Sequence, residues 1–189
     1  VTGIATDDQE RVWLSFTGVD GTSGGLCNLD LDLELWTGYA HALNVAIPSQ
    51  ILGIRISDDE SLCIWGENGL AVKEAETSWE AVSFDNVTVY CSFTDEMGQR
   101  WLGTNRGVIR VNQASEVEGP WLIAESTALG NIYGVTWSDK GVLLATDDGL
   151  VQSDDGTLEI LTSQEPLWLG DNGKTAWYSI SNLLTSTDE

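Results

Sequence analysis

One segment of this chain recurs, and that recurrence limits the fold more than any other property of the sequence. Trp101-Leu102-Gly103-Thr104-Asn105-Arg106-Gly107-Val108 has counterparts at Cys63–Leu70, Leu143–Leu150 and Trp177–Leu184. Near the start, Trp13-Leu14-Ser15-Phe16-Thr17 reaches Gly25-Leu26 after an insertion. Each copy is an apolar strand, a polar turn, usually a glycine, and a second apolar strand. The anchors at residues 13, 63, 101, 143 and 177 are spaced by 50, 38, 42 and 34 residues. Periods of roughly 40–50 residues belong to four-stranded propeller blades or to paired-helix solenoids. The segments around the anchors alternate with period two and are rich in Val, Ile, Trp, Thr and Tyr, which selects strands. Asp-Gly and Asn-Gly turns punctuate them, and no long stretch has helical spacing.

The expected fold is therefore all-β: a single small β-propeller of about five blades. The blades fall at 1–40, 48–84, 86–127, 131–164 and 165–189. The last is short of one strand, because 167–170, 175–180 and 183–184 supply three and the chain stops at Glu189. An unpaired edge invites pairing: either the last blade is three-stranded, or the chain is cut from a longer one, or a second copy supplies the strand by self-association through that open edge.

The 20 glycines against three prolines fit a turn-rich β protein. No run of about 18 apolar residues exists, so no membrane insertion is expected. The formal net charge is −22, from 30 acidic residues against 8 Lys plus Arg. Phosphate binding needs a cationic face, so nucleic acid is not an expected partner. Cys27, Cys63 and Cys91 sit singly in expected strands and read as inert buried thiols rather than a disulfide framework.

Finer expectations follow from register. An Asp lies four to six residues before each anchor, at or near Asp8, Asp59, Asp95, Asp139 and Asp171, where its side chain can cap a tight turn. Trp36, Trp79, Trp121 and Leu158 recur in the fourth strands and are expected to fill the gaps between packed sheets. Asp30, Asp32 and Glu34 alternate with Leu29, Leu31, Leu33 and Leu35. In a strand this puts carboxylates on one face and leucines on the other, and the expected state of those carboxylates is a solvated outer face. Trp13, Trp101 and Trp177 are expected at equivalent second-strand positions.

The unit "first strand, Asp, short turn, Trp-Leu-Gly-Thr, x-x-Gly, apolar strand" resembles the two-component-regulator propeller repeat of bacterial sensor proteins. Arg100 to Val108 carries the closest copy and Ala145 to Leu150 the next. Blade 2 has Trp65-Gly66-Glu67 in place of Gly-Thr, and blade 5 lacks the glycine. Members of that family have more blades, often seven per ring, and sit outside the cytoplasmic membrane ahead of a kinase. The resemblance thus implies a sensor-like, extracytoplasmic or periplasmic bacterial module.

The sequence offers little catalytic chemistry. One histidine is present and no Gly-x-Ser-x-Gly elbow accompanies it. His-Glu-x-x-His, Cys/His zinc spacing and a phosphate-binding glycine loop are all missing from the sequence. No catalytic residue, metal ligand or cofactor is assigned on this reading. The function expected is a non-enzymatic ligand- or protein-binding module. A carbohydrate-binding lectin-type propeller is the alternative, and a carboxylate-dependent glycoside hydrolase or lyase stands behind it. The partner is a small molecule, a glycan or a protein. Binding faces of propellers combine aromatic and polar groups, and the candidates are Tyr39, His41, Arg55, Tyr90, Tyr133 and Trp137.

Overall fold

The computed structural model describes residues 1–18, 24–40, 48–57, 60–73, 78–95, 97–112, 116–121, 130–138, 141–154, 157–162, 168–171, 176–180 and 183–186. Every regular element among them is a β-strand, and all strand pairings are antiparallel. The chain divides into two compact units, Val1–Val89 and Tyr90–Glu189, and the division falls within one strand.

The first unit begins with β1 (Gly3–Thr6), β2 (Arg11–Phe16), β3 (Gly25–Asp30) and β4 (Leu35–Ala40), paired in chain order. Trp13 lies opposite Ala5 on one side and Asn28 on the other. β5 (Ile51–Ile56), β6 (Leu62–Lys73) and β7 (Glu80–Thr94) follow. The core of this unit is Trp13, Leu26, Ile51, Ile54, Leu62, Ile64 and Ala71, with Tyr39 and Trp79 packed against it.

Two elements are longer than the sequence suggests. β6 covers what reads as two strands, Leu62 to Trp65 and Leu70 to Glu74. Its first half pairs with β5 and its second half, from Gly69, with Glu80–Ser83 of β7. The change occurs at exposed Glu67-Asn68, where Asn68 has φ 65° and Gly69 φ 148°. A positive φ reverses the local twist, and Asn and Gly are the residues that tolerate it. β7 likewise covers what reads as Trp79 to Phe84 and Val87 to Phe93, and it is interrupted at Asn86, φ 57°. The two expected strands in each case are real, and a left-handed residue joins them.

The second unit holds the end of β7 with β8 (Arg100–Thr104), β9 (Gly107–Val111) and β10 (Val117–Trp121). A four-stranded sheet of β11 (Ile132–Ser138), β12 (Gly141–Thr146), β13 (Gly149–Asp154) and β14 (Thr157–Thr162) follows. β15 (Trp168–Asp171), β16 (Ala176–Ile180) and β17 (Leu183–Ser186) form a sheet of three. Its core is Trp101, Val108, Ile132, Val135, Val142, Leu144 and Val151. Trp13, Trp101 and Trp177 lie in β2, β8 and β16, as the repeat register requires.

The turns explain the repeat. Asp7 Oδ1 accepts the backbone N–H groups of Gln9 and Arg11, and Oδ2 accepts the Trp13 indole N–H at 2.8 Å. Asp95 does the same for Met97, Gln99 and Trp101, the last at 2.9 Å. The capping residue therefore stands six before the anchor, and in the first repeat it is Asp7, not Asp8. Ser57 occupies that place before Cys63 and keeps the same backbone turn. The third loop residue is left-handed each time, at Glu10, Glu60 and Gly98. That is the three-residue hairpin loop closed by an αL residue. Asp59 and Asp139 lie outside the described residues, as does the side chain of Asp171.

The second turn of the repeat is fixed by threonine. Thr104 Oγ1 donates to Gly107 O at 2.7 Å and accepts the Arg106 N–H at 3.0 Å. Thr146 repeats both bonds with Gly149 and Asp148.

Two expectations fail. Residues 31–34 form a turn between β3 and β4, so leucines and carboxylates do not segregate to opposite faces; all four are exposed, with Glu34 at φ 51°. The Asp30 side chain accepts the Leu33 N–H at 2.9 Å, and this local bond wins over strand continuation. Trp36 is 55% exposed rather than packed. Trp79 does pack on the core, while the side chains of Trp121 and Leu158 lie outside the described residues.

Candidate functional site

Most residues that define the repeat are occupied in building turns, so a site must be sought among side chains that the turns do not consume. The second unit offers one such group. Tyr90 on β7 and Tyr133 on β11 bring their rings to 5.1 Å between centroids, tilted by 52°. Asn131 joins them: its Oδ1 accepts the Tyr90 hydroxyl at 3.3 Å, and its Nδ2 donates to the Tyr133 hydroxyl at 3.1 Å. The Asp147 carboxylate lies near enough to the Tyr133 hydroxyl to act on its titration. Asp147 Oδ2 in turn accepts the Asn131 N–H at 2.9 Å.

Local structure fixes this network. The pairing of β11 with β12 shifts register between Ile132 and Gly134, so Tyr133 is the bulged residue. A bulge bends the strand and re-aims its side chain, and bulges concentrate near functional sites. Gly130 has φ 64°, and a Cβ there would lie 2.7 Å from Asp147 Oδ2. Glycine is required for that close approach. Tyr133 remains 44% exposed, so its ring is presented to solvent while its hydroxyl is held. The Asn131 amide favours the phenolate, but the Asp147 carboxylate, with burial, outweighs it and raises the Tyr133 pKa above its ordinary value. A ring face with an adjacent amide and carboxylate can stack on an apolar ligand face and hydrogen-bond to ligand hydroxyls.

The other expected site residues are spread out. Trp137 packs against Trp101 at 5.7 Å and is 47% exposed. Arg110 lies over the Trp101 ring at 5.4 Å. In the first unit, Tyr39 stacks on Trp13 at 5.8 Å and meets Trp79 edge-on at 6.3 Å. Its ring is thus engaged in core packing. Arg55 is exposed on β5, opposite Cys63. His41 lies outside the described residues.

The first unit also contains a small cleft of about 50 Å³, lined by Asp7, Asp8, Arg11, Glu60 and Lys73 over Trp13 and Leu62. Arg11 Nε donates to Asp7 Oδ2 at 2.6 Å. Burial alone would raise the Asp7 pKa, but the bonds from the Trp13 indole and from the Arg11 amide and guanidinium together hold it below the ordinary carboxylate value. Glu60 is raised, chiefly by sharing a hydrogen bond with Asp8. Two carboxyls therefore converge here, but Glu60 is exposed to water. Glycosidase chemistry instead sets one acid in a shielded place. Among the described residues no group of three or more His, Cys, Asp or Glu is arranged to hold a metal ion.

Asn131, Asp147 and Glu60 were not identified from sequence. Asp147 reads there only as a turn residue, and nothing in the linear order shows that a turn of one strand pair reaches the start of the preceding strand.

No protein-family model matches the chain, and no curated protein matches it. Solved structures do. The extracellular domain of BT4673 from B. thetaiotaomicron, a one component or hybrid two component system, superposes with TM-score 0.74 at 18% identity, over 98% of this chain and 26% of that one. The extracellular domain of BT3049, a hybrid two component system of the same organism, gives TM-score 0.67 at 18% identity, over 98% and 26%. PorZ, a surface component of the type-IX secretion system of Porphyromonas gingivalis, gives 0.65 at 13% identity, over 97% and 31%. The likeness shows a propeller-like all-β fold akin to the sensor domains that the repeat resembles. The chain spans about a quarter of the length of the sensor structures.

Proposed function

We propose that this chain is a non-enzymatic recognition module of an extracytoplasmic, sensor-like bacterial protein, built as a propeller of about five blades at 1–40, 48–84, 86–127, 131–164 and 165–189. The observation that carries the reading is the Tyr90–Asn131–Tyr133–Asp147 network. It is preorganised, it leaves a ring face in water, and it serves no turn of the repeat except through Asp147. The likeness to extracellular sensor domains supports the location. Tyr90 and Tyr133 are the residues assigned to binding; Trp137, Arg55, Tyr39 and His41 are secondary.

The ligand reading splits in two. A small molecule or protein segment with an apolar face would stack on Tyr133. A glycan is the second reading, and it is favoured by the amide and carboxylate beside the ring, which match sugar hydroxyls. The test is a thermal-shift and calorimetric screen of the purified chain against neutral oligosaccharides and aromatic metabolites. A saturable ligand whose binding is lost in Tyr133→Ala and Asn131→Ala supports the site. A ligand bound equally by both variants would sink it. Self-association through the edge of the three-stranded last sheet is part of the proposal, and light scattering across concentration tests it.

A further inference from the structure

The β3–β4 hairpin tip has a composition that solvent does not favour. Leu31, Leu33, Leu35 and Trp36 are 51%, 71%, 56% and 55% exposed. Hairpin tips are normally built from Gly, Asn, Asp and Pro. Scattered exposed apolar residues need no explanation, but four among six consecutive residues are not scattered. The tip is also well fixed. Asp30 lies opposite Leu35 and Leu29 opposite Trp36. Asp30 accepts the Leu33 N–H, and Glu34 is held left-handed. A non-glycine residue in that region carries local strain, which the surrounding structure must maintain.

Two properties of the tip define its occupant. Leu35 and Trp36 are consecutive in a strand, so they leave opposite faces of the hairpin. Apolar surface on both faces fits a groove rather than a flat face. Asp30, Asp32 and Glu34 are interleaved with the apolar residues, and residues 30–36 contain no cation. The groove must therefore carry positive charge at its rim. A second copy of this chain does not meet that requirement. A two-fold contact would set the three carboxylates of the tip against themselves. In the described cleft of the first unit, carboxylates again outnumber cations. An anionic lipid surface is disfavoured by the same charges.

We propose that the tip Leu31–Trp36 is a docking element that inserts into an apolar groove rimmed by Lys or Arg on a different protein. This inference is independent of the tyrosine site, which lies in the other unit.

The probe is a synthetic amphipathic helical peptide of lysine and leucine, with a lysine–serine peptide of equal charge as control. Binding to the full chain is followed by calorimetry and by backbone NMR shifts. The expected result is that the lysine–leucine peptide binds at least tenfold more tightly than the control, with shifts centred on residues 30–36. Leu33→Ser with Trp36→Ser should remove that tenfold difference, Asp32→Lys should weaken binding severalfold, and Leu161→Ser should leave it unchanged. Leu33→Ser alone carries the test should the double variant lose its fold by circular dichroism. Equal binding by wild type and the serine variants overturns the proposal, as do shifts centred elsewhere. A wild-type dimer abolished by the serine variants would instead make a second copy the occupant. Binding to anionic vesicles lost in the same variants would make it a membrane. Either outcome overturns the proposal too.

Discussion

The Trp101 indole donates its N–H to the Asp95 carboxylate at 2.9 Å, six residues earlier, and the Trp13 indole does the same to Asp7 at 2.8 Å. Both indoles are buried. A buried donor left without a partner costs about 1–3 kcal/mol. Asp95→Ala is therefore expected to destabilise the chain by roughly that amount. Trp101→Phe removes the donor itself. In a double-mutant cycle read by urea unfolding, the two changes should cost clearly less together than the sum of each alone.

Asp7 gives a pH dependence whose sign is fixed. Its native value lies below the ordinary 3.8, through the Trp13 and Arg11 bonds that outweigh burial. As pH falls, the unfolded chain takes up this proton first. Stability from Asp7 is thus complete above the unfolded value and is lost as pH falls through the native one. Urea midpoints should decline below about pH 4, and the decline should be shallower in Asp7→Asn.

Glu60 is the opposite case. Its raised value rests first on the hydrogen bond with Asp8 and then on the Asp8 charge. Asp8→Asn should lower the Glu60 pKa, measured by carboxyl-carbon NMR titration. An unchanged Glu60 would show that the two carboxyls do not interact.

Tyr133 reports on its network directly. The Asp147 carboxylate favours the protonated hydroxyl and repels the phenolate. Asp147→Asn should bring its titration back down toward the ordinary value of 10, seen as the ultraviolet difference from Tyr133→Phe.

Cys91 is expected to be inert. Cys91 is half-buried, and desolvation of its thiol pushes it up to about 12; the thiolate is the reactive form. Its labelling by iodoacetamide at pH 8 should follow unfolding. Gly103→Ala should expose it, because the added Cβ would meet Cys91 Sγ at 2.5 Å and the Ile132 carbonyl at 2.6 Å. Overpacking of this kind costs about 1–3 kcal/mol.

The strands were legible in the sequence because alternation and turn residues are local signals. Trp13, Trp101 and Trp177 fell at matching strand positions for that reason. The Asp–Trp bond was half legible. The Asp column was visible, but its register and its use as an indole acceptor depend on how a hairpin folds back over six residues. The tip at 31–34 was misread because alternation of Leu with Asp or Glu imitates a strand, while one side-chain bond from Asp30 stops it. Tyr90 and Tyr133 were selected for their chemistry alone. Their meeting through Asn131 is a product of strand packing across about 40 residues of sequence, as in the Tyr90–Asn131 bond, which no local pattern encodes.

The pairing of a carboxylate with an indole six residues away also constrains how the repeats can diverge. Where the anchor is Cys63 or Leu143, the residue six before is Ser57 or Trp137, not Asp. Donor and acceptor are thus present together or absent together in these repeats. A repeat passing from one type to the other by single substitutions must cross an intermediate with a lone buried group. The repeats with Trp13 and Trp101 are held in place by that barrier. The repeats anchored by Cys63 and Leu143 carry no such tie: their anchors are held by burial, and Trp137 is turned instead to the ring of Trp101.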